Sequence, residues 1–318
     1  MTGLGRRLAI GAGLGLLVVI GLMLVSDLSA LKGTFATLSW GPFGGALCLS
    51  LVGYMLRVVK WELYLRALEI RVPLGPSVLC FFAGMVMSIT PGKVGEVLKS
   101  FLLRQAFEVP VTRSAPIVVA ERLTDLMALL LLTSLGVATS GYGWGVLIAG
   151  SVLVGGMMLV FAWDPLGQWV LKCCAKLPVI GRIAPRLEEA RIAMRALMGR
   201  WVLLVTLALS VAAWGLEAVG TWLILGGLTD VVVTLGEATF VYAFSTVAGA
   251  LTMLPGGLIA TEGSMIALLE LTMGVAPTGE VATVATLLIR FATLWFGVAL
   301  GGLALWGFGR ATKKASAL

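Results

Sequence analysis

The chain has 318 residues, of which 59% are hydrophobic and 12% charged, and a formal net charge of +7. That balance lies outside the range of soluble globular domains, and several apolar runs approach the roughly 20 residues that span a bilayer, so the composition indicates an integral membrane protein. It excludes nucleic acid as a partner, because the basic residues fall where a cytoplasmic membrane face carries them, and the lack of histidine removes imidazole catalysis, histidine proton relays and the commonest zinc ligand.

Behind Arg6-Arg7, the apolar run from Leu8 to Val25 is longer than a usual signal core and predicts an uncleaved first span that starts in the cytoplasm. A short outer loop with Asp27 and Lys32 follows, and residues 41–63 return inward to a border rich in Arg57, Lys60, Arg66 and Arg71, where Trp61 and Tyr64 suit the interface. Residues 74–105 then form two apolar arms on either side of Thr90-Pro91-Gly92-Lys93-Val94-Gly95-Glu96. The return arm, from Val94 to about Gln105, is about 18 Å long at 1.5 Å per residue, too short for a core of roughly 30 Å, so the pair reads as a re-entrant hairpin entering from the cytoplasm.

Residues 114–140 predict a long span containing Glu121, Arg122 and Asp125, and residues 146–163 come back in. The segment 164–200 is cytoplasmic by charge; Leu187, Ala190, Met194, Leu197 and Trp201 recur at helical spacing, as in an amphipathic helix lying on the membrane or in a solvated linker helix. Residues 201–228 cross outward with Glu217, residues 238–273 form a second hairpin entering from outside, and residues 281–306 cross back with Arg290. Of the 23 Lys plus Arg, this scheme places Lys32 outside and Arg122 and Arg290 within spans, leaving all others cytoplasmic together with both termini. The expected fold is therefore all-α, with about six transmembrane helices and two oppositely oriented re-entrant hairpins in one membrane domain: a first half at 1–163, a basic linker at 164–200 and a second half at 201–318.

The two halves match in detail. Leu254-Pro255-Gly256-Gly257 followed by Glu262 repeats the order of the first break; Gly84 and Gly249 precede the prolines by seven and six residues, and arginines follow the two glutamates by 26 and 28. Such matched order points to an internal duplication of the inverted-repeat kind. Proline disfavours helix in the residue before it and glycine lets the backbone turn, so Thr90 and Leu254 should end half-helices whose successors begin near mid-membrane with free N–H groups, a setting for an anion.

A charge near the bilayer centre needs a partner or a purpose. Arg122 and Arg290 lie roughly 12 to 14 Å into their spans from opposite faces. In one reading Arg122 pairs with Asp125 at i,i+3 spacing, or with Glu121 or Glu217, and Arg290 pairs with Glu262. In the other, the two guanidinium groups clamp an anionic headgroup such as phosphate, with Lys93 adding a charge at the first break. Glu96 and Glu262 either carry protons or cap the half-helices. No phosphate loop, nucleophile elbow, dinucleotide fingerprint or metal-ligand spacing is present, so neither a cofactor nor an enzymatic reaction is expected. Cys48, Cys80, Cys173 and Cys174 make no disulfide framework.

Arg57-Val58-Val59-Lys60-Trp61, Pro91-Gly92-Lys93-Val94-Gly95-Glu96, Glu121-Arg122 with Asp125, and Pro255-Gly256-Gly257 with Glu262 and Arg290 together resemble the lysylphosphatidylglycerol synthase transmembrane-domain family, also called flippase-like membrane proteins. The resemblance covers nearly the whole chain. It implies a lipid flippase or scramblase of the cytoplasmic membrane that moves a phospholipid, glycolipid or polyprenyl-phosphate lipid; the residues expected around the headgroup are Arg57, Pro91, Gly92, Lys93, Glu96, Glu121, Arg122, Asp125, Glu217, Pro255, Gly256, Gly257, Glu262 and Arg290. No aminoacyl-transferase domain follows before Leu318, so the chain is expected not to synthesise the lipid it moves. Two other readings use the same buried charges: an enzyme acting on a lipid-linked sugar or phosphate, and a non-transporting scaffold for a lipid-synthesis enzyme. A homo-oligomer is compatible with each.

With the native cysteines replaced, single cysteines introduced at 91–96 and at 255–262 are expected to react with impermeant reagents from opposite sides of the membrane; reaction from one side would refute the inverted arrangement.

Overall fold

A computed structural model describes residues 39–90, 94–140, 143–162, 165–166, 168–169, 184–228, 233–272 and 279–315. The predicted first span at Leu8–Val25, Lys32, the Pro91-Gly92-Lys93 step and the adjacent Cys173 and Cys174 lie outside these residues. Among the described residues the chain is helical and has no β-strand. In order come α1 (Trp40–Ala67), α2 (Leu74–Met85), α3 (Leu98–Phe107), α4 (Val111–Ser140), α5 (Trp144–Ala162) and α6 (Ala184–Leu197). After them come α7 (Arg200–Gly226), α8 (Leu235–Leu251), α9 (Ala260–Ala267), α10 (Gly279–Arg290) and α11 (Phe296–Ala315). Three helical stretches, Trp40–Ala67, Arg200–Gly226 and Val281–Phe308, are long and apolar enough to cross a membrane. At 30 residues, α4 is longer than any of them but carries the three predicted intramembrane charges.

The helix ends follow from local chemistry. A capping box opens α8: the Glu237 backbone N–H donates to Thr234 Oγ1 at 3.2 Å, and the Thr234 N–H donates to Glu237 Oε2 at 2.8 Å. At the first break α2 tightens into a 3₁₀ turn at Val86–Ile89, and Thr90 is extended (φ −80°, ψ 152°), the conformation a following proline favours. The second break lies three residues earlier in the chain than predicted. Helix α8 stops at Leu251 instead of Leu254, and α9 starts at Ala260 instead of Gly263, because Met253, Gly256, Gly257 and Ile259 all take positive φ, which no helix can incorporate. A further departure lies between α10 and α11, where the predicted single span contains a π-helical turn at Phe291–Trp295, directly after Arg290.

Small residues set the helix spacing. The most extensive pairing is α1 with α7, where Gly53 meets the Ala213 backbone and Gly220 meets Ala46. Helix α11 crosses α2 at Gly301, where an added Cβ would stand 2.7 Å from the Phe82 carbonyl oxygen and the Val86 nitrogen. Gly84 and Gly249, paired by sequence, play matching parts. A Cβ on Gly84 would strike the Lys99 side chain on the first returning arm, and one on Gly249 would strike Thr261 on the second. Each glycine lets its hairpin arms touch.

Two apolar clusters form the core. One joins the C-terminal half of α4 to α7, α8 and α10 around Phe240 and Ile289. The other gathers α2, α3, α6 and the N-terminal half of α4 around Trp61, Phe81 and Leu103. Arg57 and Lys60 of α1 and Glu121, Arg122 and Asp125 of α4 fall near where these helices pass from one cluster to the other.

Three sequence expectations fail here. Trp61 and Tyr64 are buried, not interfacial: the Trp61 indole donates to Ser77 Oγ at 3.0 Å, and the Tyr64 hydroxyl lies 3.2 Å from Thr124 Oγ1. Lys60 and Lys99, counted as cytoplasmic, are also buried. Helix α6 turns Ala193, Met194 and Leu197 into the protein against α4, so these apolar residues are covered by neighbouring helices and do not face a membrane surface.

Gly301→Ala is expected to lower stability in detergent by about 1–3 kcal/mol through overpacking of α11 on α2, whereas Gly302→Ala, with open space around it, should leave the unfolding midpoint nearly in place. Equal midpoints for both variants would remove this contact from the fold's requirements.

Candidate functional site

The site begins with α1 and α4. Arg57 and Lys60 are three residues apart and so share one face of α1; Glu121, Arg122 and Asp125 occupy adjoining faces of α4. Lys60, with 1% of its side chain exposed, donates to Asp125 Oδ1 at 2.5 Å and to Ser210 Oγ at 2.8 Å. Ser210 in turn donates to the same carboxylate oxygen at 3.1 Å. Lys99, on the first returning arm, donates to Glu121 Oε2 at 2.5 Å and lies over the rings of Trp61 and Phe81. All four residues of these two lysine pairs are buried.

The arginines are different, since they reach a cavity. Arg122 pairs with Asp125 at 3.1 Å and with Glu96 at 3.2 Å, and keeps 30% of its side chain exposed. Arg57 pairs with Glu217 at 2.7 Å and stacks over Trp214, 4.2 Å from the ring centre. The hydroxyl of Tyr242 on α8 donates to the other Glu217 oxygen. Arg290 donates from Nε to Glu262 at 2.6 Å and from a terminal nitrogen to the Gly256 carbonyl at 2.7 Å, tying α10 to the second break.

Arg57, Arg122 and Arg290 line one cavity of about 450 Å³, together with Asp125, Glu217 and Tyr242. Gly249 of α8 and Gly256 and Gly257 of the second break bring backbone to its wall. The rest of the lining is mostly apolar and includes Val119, Leu153, Met253 and Leu254, all exposed on the outer surface. A recess of about 40 Å³ shares Arg57, Ser88, Arg122 and Asp125 with the cavity and adds Lys60, Lys99, Glu96 and Glu121. The chamber thus has a charged wall and a greasy one.

Most residues singled out from sequence meet here. Arg122 and Arg290 face the same space, and each also has the carboxylate partner that helical spacing or motif order offered, Asp125 and Glu262 respectively. The two readings of those arginines are therefore compatible. Glu262 lies behind Arg290, Pro255 does not reach the cavity wall, and Pro91, Gly92 and Lys93 are outside the described residues. Glu121 and Glu217, offered as partners of Arg122, are instead taken by Lys99 and Arg57.

The half-helix after the second break also differs from expectation. The Thr261 and Gly263 N–H groups donate to Gly257 and Ile259 carbonyls, so they are not free for an anion, and no side chain caps this end. Sequence reasoning missed Lys60, Lys99, Tyr242, Ser210 and Trp214. For Lys60 a signal existed, its i,i+3 spacing from Arg57; the others are brought in by tertiary packing alone.

Compared with known proteins, residues 13–301 match the family model described as the lysylphosphatidylglycerol synthase TM region. No curated protein matches the chain.

Breaking an enclosed pair leaves an uncompensated charge, so Asp125→Ala is expected to cost about 3–5 kcal/mol of stability, and the double variant Lys60→Met with Asp125→Leu to recover much of it. Chemical denaturation in detergent measures both; equal losses would show that Lys60 does not depend on Asp125.

Proposed function

The chain belongs to the lysylphosphatidylglycerol synthase transmembrane-region family and is an integral membrane protein, and from that premise we propose that it moves a phosphate-containing lipid across the cytoplasmic membrane. The observation that carries this reading is that guanidinium groups from α1, α4 and α10 converge on a cavity whose remaining wall is mostly apolar and includes residues exposed on the outer surface. Arginine binds phosphate through paired N–H bonds, and the volume falls in the usual range for a bound small ligand.

The two walls sort an amphiphile. A headgroup fits against Arg57, Arg122 and Arg290, while acyl chains leave past Val119, Leu153, Met253 and Leu254 into the bilayer. No irregular backbone can face lipid at mid-membrane, which gives the broken hairpins a reason: their turns line a polar chamber. Six spans and two hairpins dipping from opposite faces would present that chamber to each leaflet in turn, with both termini cytoplasmic. The chain carries its lipid without altering it. The lipid is the partner this chemistry recognises; association with a second copy or with a lipid-synthesis enzyme would leave the chamber's role unchanged.

A charge-neutral replacement tests this directly. The double variant Arg290→Gln with Glu262→Gln removes the cation and its counterion together, so no lone charge is buried. Losing a charge-assisted hydrogen bond of about 1.5–3 kcal/mol predicts a roughly ten- to hundredfold fall in translocation of fluorescent phosphatidylglycerol in proteoliposomes, with the protein still folded by circular dichroism. Undiminished translocation would count against the guanidinium wall as the headgroup site.

A further inference from the structure

Charge balance around the cavity constrains what enters it. Among the described residues, five cations (Arg57, Lys60, Lys99, Arg122 and Arg290) meet five carboxylates (Glu96, Glu121, Asp125, Glu217 and Glu262), each cation within 4 Å of at least one carboxylate. Over these described residues the charges balance before any headgroup arrives. A phosphodiester adds one negative charge to an interior where an uncompensated charge costs several kcal/mol. Arginines that already hold carboxylates offer no net positive charge to meet it. A second charge of opposite sign must enter with the anion, and the smallest is a proton.

Glu262 is the carboxylate placed to take it. Asp125 is held by Lys60, Arg122 and Ser210, and Glu96 by Lys99, Arg122 and Ser88. Glu217 is held by Arg57 and Tyr242, and Glu121 is closed against Lys99 in the recess. Glu262 has Arg290 on Oε1, while its Oε2 is buried with no hydrogen-bond partner. Of the elements packed on α9, α10 contributes Arg290. Helix α8 contributes Tyr242, whose hydroxyl is given to Glu217, and Glu237, locked in its capping box; the turn after α9 contributes Glu270, which is exposed.

Resting on the reading of the chamber as a headgroup site, we propose that phosphate binding is coupled to protonation of Glu262. A proton from solvent adds to the unpartnered Oε2 and makes a neutral carboxylic acid. The Arg290 Nε–H then moves its hydrogen bond from Glu262 Oε1 to a phosphate oxygen. One anion and one proton enter, and the cluster stays neutral. The bond from Arg290 to the Gly256 carbonyl holds the guanidinium in place during the exchange. Release runs the same steps backwards, so the lipid and the proton travel together.

The probe is dioctanoyl phosphatidylglycerol, whose phosphodiester keeps one charge throughout the working range, titrated into the full chain in detergent by calorimetry in buffers of different ionisation enthalpy. The expected result is uptake of about one proton per lipid bound, with affinity tightening about tenfold for each unit of pH lowered. The sign follows from the bound state holding the extra proton. Glu262→Gln is expected to bind with no proton uptake and no pH slope. Binding without uptake by the natural chain would overturn the coupling and leave the headgroup site standing. Uptake that survives Glu262→Gln would overturn the assignment to Glu262, and no binding at any pH would count against the headgroup site itself, and the coupling with it. If Glu262→Gln fails to fold, the pH slope of the natural chain still decides: a flat profile overturns the coupling.

Discussion

Ion pairing inside a low-dielectric interior is the constraint on which this molecule rests. Ten charged side chains meet near the junction of two apolar clusters, and none can be buried alone. The helices must therefore deliver cation and carboxylate to the same depth. Helix α4 does so by carrying charges of both signs within five residues, α1 by presenting Arg57 and Lys60 on one face, and α7 by offering Glu217 and Ser210. The hairpins complete the arrangement, one bringing Glu96 and Lys99 and the other Glu262 and the Gly256 carbonyl.

Within that network the lysines and arginines have separate work. Lys60 and Lys99 are compact point charges, each sealed against a carboxylate by neighbouring aromatic or hydroxyl groups. They fix helix against helix. The three arginines present broad planar groups at the cavity wall, where one edge is committed to a carboxylate and further N–H donors remain beside open space. The lysines thus stand at the small recess, and the arginines reach the larger cavity.

What could be read from the sequence was local or repeated. Arg122 with Asp125 follows from helical spacing, Arg290 with Glu262 from the order of the duplicated motif, and the shared role of Gly84 and Gly249 from matched offsets to the prolines. Contacts between distant segments were not legible: Arg57 with Glu217, Lys60 with Asp125 and Lys99 with Glu121 join residues that no periodicity relates. Lys60, Lys99, Trp61 and Tyr64 were misplaced because charge bias and aromatic belts describe residues that face solvent or headgroups, and these four face other helices. The same cause explains α6, whose apolar stripe looks alike whether it rests on lipid or on protein. The earlier position of the second break was hidden because Met253 and Ile259 take left-handed backbone that their side chains do not favour.

The π-helical turn at Phe291–Trp295 acts as a phase shift in the last long helix. Residues eleven apart on a regular helix return to almost the same face, so Arg290 and Gly301 would point in one direction. Five residues wound more loosely turn the later part back by about a quarter revolution. That offset separates two duties of one rod: its first part aims a guanidinium at the chamber, and its second seats a bare glycine on α2. The Tyr54 hydroxyl donates to the Thr293 carbonyl within the loosened turn, at 2.9 Å. The angle between the two duties is thereby pinned from α1.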